Sequence, residues 1–188
     1  MASISISRQQ IGAALALCVA SLWLAAAPAR ADDAVDLGSK VLDPEEIRKG
    51  LFPDEECEQL KAAGFKCMGF KPPVRFSLPA NSFQLGSAEL PDTLKKQLDG
   101  FAEVLRARQD KDHKVRVEGH ADASGDAKAN LDLSRRRAEA ARQYLVQKGV
   151  DGDLVKAVGV GDHELVDARN PTSAANRRVV IGRDAEAH

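Results

Sequence analysis

Two charged side chains invite a chemical reading. A helical pattern runs from about residue 126 to 148, closed by Gly149. At 100° per residue, with Leu133 as origin, Tyr144 lies at about 20°, Arg137 about 40°, Ala141 about 80° and Leu145 about 120°. Arg137 therefore falls inside the apolar arc, while Arg135 (about 200°) and Arg136 (about 300°) point elsewhere and read as solvated charges. A guanidinium on a buried face is costly unless a carboxylate or a set of acceptors meets it. The turn after the strand pattern at residues 114–118 offers Asp122, with Gly119 and Gly125 expected to let the backbone bend. From spacing alone the plainer reading of Asp122 and Arg137 is an internal salt bridge that orients helix on sheet. The sharper one is a pair of opposite charges that serves as a site.

Other chemistries find little support. His120-x-Asp122 could be an acid–base or metal pair, but His113 and His163 have no motif spacing around them. Neither a nucleophile elbow, a phosphate loop nor His-Glu-x-x-His occurs, so the expectation is no catalysis, no metal and no cofactor. Net charge is −1 with 29% charged and 4% aromatic residues. That balance supplies neither a basic surface nor a stacking platform for nucleic acid.

The elements that must position these residues alternate between strand and helix. Residues 74–78 and 82–85 read as short strands. Leu94, Leu98, Phe101 and Leu105 mark one face of a helix, and Val115 and Val117 alternate with Arg116 and Glu118 as in a half-buried strand. Residues 155–160 and 177–181 read as the last two strands. This order predicts an α/β fold with helices packed on one mixed sheet, over residues 73–188.

Ahead of it, residues 32–72 read as a short helical lead-in. Asp43-Pro44-Glu45-Glu46 starts one helix and Asp54-Glu55-Glu56 a second, which ends near Gly64. Forty or so residues bury too little surface to fold alone, so this piece should dock on the main domain or stay partly mobile. Residues 1–31 read as a secretory signal: Arg8, an uncharged apolar run from Ile11 to Ala27, and Ala29-Arg30-Ala31 as a cleavage site. Of the 27 basic residues, Arg8 and Arg30 leave with it; 25 basic against 28 acidic give the remainder a net charge of −3. In an oxidising compartment the two remaining cysteines, Cys57 and Cys67, are expected to form a disulfide. No transmembrane segment is expected in the mature chain, and residues 32–72 are too few for a membrane barrel.

Gly119-His120-Ala121-Asp122, Gly125, and Asn130-x-x-Leu133-Ser134-x-x-Arg137-Ala138 resemble the signature of OmpA-like C-terminal domains. The likeness extends through Tyr144-Leu145, Gly149-Val150, Gly159-x-Gly161 and Asn176-Arg177-Arg178-Val179, and upstream to Phe83-x-x-Gly86-Ser87-Ala88-x-Leu90. It covers roughly residues 72–183. The resemblance implies the OmpA-C-like α/β sandwich and a non-catalytic grip on peptidoglycan of the diaminopimelate type. By the same resemblance Asp122 and Arg137 are the main ligand contacts, Asn130 organises the loop and also touches the ligand, and Arg177 is a second carboxylate contact. It implies a periplasmic location, associated with the cell wall or outer membrane, and makes His120 a structural residue that braces its turn by hydrogen bonds.

Three departures stand out: Ala121 replaces the usual Thr, Thr172-Ser173 the usual Gly-Arg, and Ala129 a common Tyr. They leave room for a rival in which the same fold serves as an accessory module of a secretion or motility complex. Residues 32–72 would then face an envelope protein partner.

Overall fold

A computed structural model describes residues 34–66, 69, 71–79, 83, 84, 86–108 and 113–184, the side chain of Glu56 excepted. The expected signal segment 1–31 and Cys67 lie outside the described residues.

Five strands form one sheet: β1 (Ala34–Asp36), β2 (Arg75–Pro79), β3 (Val115–His120), β4 (Val155–Gly161) and β5 (Arg178–Arg183). Their order across the sheet is β1-β2-β5-β3-β4, with β1–β2 and β3–β4 parallel and β2–β5 and β3–β5 antiparallel. Four helices accompany it: α1 (Pro44–Leu51), α2 (Pro53–Ala62), α3 (Asp92–Arg106) and α4 (Ala127–Gln147). The expected helices-on-mixed-sheet α/β fold is the one observed. Of the strand expected over 82–85, the described residues Phe83 and Gln84 lie outside the sheet; Ser82 and Leu85 fall outside the described residues.

The periodic face of α3 is buried as its spacing predicts: Leu94, Leu98, Phe101 and Leu105 are all at most 1% exposed. Phe101 meets Phe76 of β2 edge to face at 5.6 Å.

The lead-in is docked and contributes to the sheet. A capping box at Asp43 starts α1, with Asp43 Oδ1 accepting from Glu45 N at 2.8 Å and Glu46 reaching back to Asp43 N. α1 then packs Ile47 and Leu51 against α3, and Phe52 joins them in the core. Three such side chains stabilise the docked state by about 1.5–3 kcal/mol each. Gly100 of α3 makes room, since a Cβ there would sit 3.0 Å from Ile47 Cδ1 and 3.3 Å from Leu42 O. The Gln97 amide donates to Gly38 O and Lys40 O, and Arg183 of β5 pairs with Asp54 at 2.9 Å. β1 was not legible in the sequence; three residues are too few to show alternation.

Two glycines set the seat of α4. Gly119 of β3 and Gly159 of β4 are register partners directly beneath it. A Cβ on Gly119 would fall 2.0 Å from Ser134 O, and one on Gly159 would fall 2.6 Å from Arg135 N. β3 continues through His120, with a shift of register against β4 between Gly119 and His120, and the glycine also serves close helix–sheet contact. Ser134 ties the same contact by accepting from Gly161 N at 2.9 Å while donating to Leu131 O.

Candidate functional site

The C-terminal ends of β3 and β4, the N-terminal end of β5 and the first three turns of α4 converge on one rim of the sheet. Asp122 follows β3 directly and is 5% exposed. Its Oδ1 accepts from Ser124 N at 3.0 Å and from the Ser124 hydroxyl, and its Oδ2 accepts from Arg177 Nη1 at 2.5 Å. Burial pushes this carboxyl upward, but the Ser124 and Arg177 hydrogen bonds outweigh it and hold the group below the ordinary aspartate range.

Arg137 is inside, as the helical wheel requires, at 1% exposure. The expected direct pair with Asp122 does not form. Arg137 Nε donates instead to Ser87 O at 3.0 Å, and its guanidinium carbon lies 4.6 Å from the centre of the Phe83 ring. Its Nη1 is buried without a hydrogen-bond partner. Burial, with the nearby Arg177 charge, lowers its pKa to about 10, and the Asp122 charge opposes the shift only in part. The carboxylate went to Arg177 because of strand register. His120 faces Arg178 across the β3–β5 ladder, so Arg177 arrives beside Asp122. A short 3-10 turn (Ala174–Asn176) delivers it, held by the buried Asn176 amide donating to the carbonyls of Asp167, Asn170 and Pro171.

Asn130 occupies the first turn of α4, with Nδ2 within hydrogen-bonding reach of Gly125 O (3.3 Å) and Asp162 Oδ2 (3.2 Å). Asp122, Arg137 and Arg177 thus come together, while Asn130 meets the loop after Asp122 at Gly125 O and reaches Asp162. Sequence reasoning missed Ser124, Asp162 and the contacts of Phe83 and Ser87. Ser124 had a readable signal, a serine two positions after a turn aspartate. Asp162 and Ser87 had none, since one arrives through strand pairing and the other through its main chain.

His120 does not brace its turn. It is fully buried, neither ring nitrogen makes a hydrogen bond, and Nε2 lies 3.5 Å from Glu118 Oε2. Glu118, His120 and Glu164 bring potential metal-ligand atoms within 4.8 Å of one another, the one such group among the described residues. Glu118 already meets Arg75 and Arg116, and the charge of the buried Arg178 acts on His120. Three guanidiniums against two carboxylates make this a poor place for a dication.

The rim of a small mixed-sheet α/β domain thus gathers the Asp122–Arg177 pair and the buried Arg137. Residues 82–178 match the OmpA family, and the chain belongs to that family. It is similar to LafU of Escherichia coli, a protein named for flagellar export and assembly, at 37% identity over 105 residues, 54% of this chain and 33% of that one. The peptidoglycan-associated lipoprotein of Mesorhizobium japonicum is 37% identical over 97 residues, 47% of this chain and 58% of that one. The fold is that of the OmpA-like domain of FopA1 from Francisella tularensis, with TM-score 0.50, 22% identity, and 57% and 69% of the two chains covered. These matches span a third to two thirds of the similar proteins' own lengths.

Proposed function

We propose that this protein binds peptidoglycan without cleaving it, through the free α-amino-carboxylate end of diaminopimelate in the stem peptide, and so associates with the cell wall or outer membrane from the periplasm. The observation that carries this reading is Arg137, a buried cation that lacks a carboxylate and keeps Nη1 unused. Its unfilled bonding capacity fits a ligand carboxylate, which Arg meets with two parallel hydrogen bonds. The ligand ammonium takes Asp122, and Arg177, released from it, turns to the same carboxylate. A zwitterion gives Asp122 an ammonium in place of Arg177 and lets both guanidiniums share its carboxylate, whereas a lone acid would meet Arg137 and leave the Asp122–Arg177 pair as it stands. Asn130 and Ser124 hold the loop that carries Asp122. The same chemistry leaves no role for a catalytic step, a metal or a cofactor.

None of the helices among the described residues is long and apolar enough to cross a membrane, which accords with a periplasmic place. Cys57 is disulfide-bonded, which accords with an oxidising compartment, and Cys67 is the proposed partner.

The test is co-sedimentation with purified sacculi. Asp122→Asn and Arg137→Ala should each weaken binding roughly ten- to hundredfold, since a charge-assisted hydrogen bond contributes about 1.5–3 kcal/mol. Binding should be lost on lysine-type sacculi. Equal binding to both sacculus types would overturn the assignment. The similarity to LafU favours a second reading, an accessory of a motility complex engaged through residues 32–72. That reading gains if sacculi are ignored altogether.

A further inference from the structure

Arg137 is held in a bonding arrangement that leaves part of it unused, and the cause lies outside both elements that carry the expected contacts. Between β2 and α3, Phe83 and Ser87 both reach Arg137, at the middle of α4. Phe83 is 5% exposed and presents its ring to the Arg137 guanidinium at 4.6 Å. Ser87 supplies its main-chain carbonyl to Nε at 3.0 Å. That carbonyl is aimed by a tight turn: Ser87 N donates to Gln84 O at 3.0 Å, and Gly86, the third residue, has φ +71, where a side chain is strained. Ser87 Oγ accepts from Glu89 N and fixes the exit of the same turn.

We infer that the Phe83–Ser87 turn is the positioning element of the ligand-binding arginine, with the Phe83 ring standing in for the counter-carboxylate that Arg137 lacks. A carboxylate in that place would pair with the guanidinium, use its donors and compete with an incoming acid. An aromatic face attracts the cation through its quadrupole while leaving N–H groups in the guanidinium plane free. One carbonyl on Nε then fixes the plane, so the terminal nitrogens point where a carboxylate can be met edge on. Phe83 and Ser87 touch Arg137 and not the ligand; they act by pre-organising it. The inference rests on the proposed diaminopimelate reading for its function, and on geometry alone for the contact itself.

The experiment compares the full mature chain with Phe83→Leu, Phe83→Tyr and Gly86→Ala. It uses two measurements: calorimetric binding of a diaminopimelate tetrapeptide, and the arginine side-chain ¹⁵N–¹H spectrum without ligand. Leu keeps an apolar group of similar bulk and Tyr keeps the aromatic face. Phe83→Leu should weaken binding about fivefold to tenfold and abolish the ring-current shift of the Arg137 Nε–H signal, with the melting temperature little changed. Phe83→Tyr should restore both. Gly86→Ala should move the Arg137 signal and weaken binding in parallel. Leu binding as tightly as Phe, or Tyr failing along with Leu while folded, would overturn the positioning role. If wild type and Arg137→Ala alike ignored the tetrapeptide, the diaminopimelate reading would fall, and the spectrum would still decide whether the ring holds the guanidinium.

Discussion

Two ionic clusters sit within a few residues of each other on β3, and they divide their charges differently. On the face of β3 turned away from α4, Glu118 meets Arg75 and lies 3.0 Å from Arg116, with His120 beside it. Gly182 of the intervening strand β5 clears the path, since a Cβ there would come within 2.8 Å of Arg75 Cγ. At the end of the same strand, Asp122 and Arg137 lie close enough to feel each other's charge but do not bond. The first cluster spends its carboxylate on its own cations; the second keeps a cation in reserve. Burial of charge is common to both, so burial alone does not mark function. Nor does an unfilled nitrogen by itself, since His120 and Arg178 have them too; the second cluster differs in the Phe83 ring and Ser87 carbonyl that hold Arg137 beside the Asp122–Arg177 pair.

The largest expected effect tests this contrast by the sign of a stability change. Glu118→Gln removes the charge that Arg75 and Arg116 share and should destabilise the fold by about 3 kcal/mol, the low end for a broken buried pair, because both guanidiniums partly reach solvent. The folded fraction should still bind sacculi within about threefold of wild type, since no proposed contact is lost. Arg137→Met should do the reverse. It replaces a desolvated, incompletely bonded cation by an apolar chain of similar length, so stability should rise by about 1 kcal/mol while binding disappears. Urea unfolding with sacculus co-sedimentation reads both. A large stability loss in Arg137→Met would make that residue scaffold and erase the distinction.

A smaller effect comes with acid, and the two clusters contribute in different windows. His120 is held neutral by burial and by the Arg178 charge, against the pull of Glu118, so its folded pKa lies below the usual 6.5. The unfolded chain therefore takes up this proton first. The His120 contribution is complete above about pH 6.5 and declines as pH falls from there toward the lower folded value. Glu118 and Asp122 both have depressed folded values, so their contributions are complete above about pH 4–5 and are lost as pH falls through them. The urea midpoint should drop in two stages, and His120→Gln should flatten only the first, which begins below about pH 6.5. An unchanged slope in that variant would show that the imidazole does not titrate against the fold.

How much of this was legible without coordinates depends on whether the information is local. Helical periodicity turned Arg137 inward, and the face of α3 followed from four apolar residues. Both are short-range patterns with one geometric solution. The partner of Asp122 was not legible, because two arginines from different elements could reach it and strand register decided between them. Gly119 looked like a bend; it borders a register shift and is also a close contact with α4, which only the atom above it reveals. The Phe83 ring gave no signal as a cation's partner, because an aromatic ahead of a helix reads as core.

The smallest expected effect concerns three consecutive arginines. Arg135, Arg136 and Arg137 share one residue type and one helix, and differ only by 100° steps around its axis. Arg135 and Arg136 both reach Asp132, at 3.1 and 3.0 Å, with side chains more than half exposed. Exposed pairs of this kind contribute little, because water screens the attraction and two long side chains must be ordered to make it. Arg135→Ala should therefore leave the melting temperature and sacculus binding unchanged within error. Any weakening should grow only as ionic strength is lowered, the behaviour of a diffuse charge near an anionic polymer. If Arg135→Ala instead matched Arg137→Ala in binding at ordinary salt, the groove would be recognising basic charge along α4 and not one oriented guanidinium. The contrast between a reserved cation and a spent one would then fail where the sequence made it sharpest.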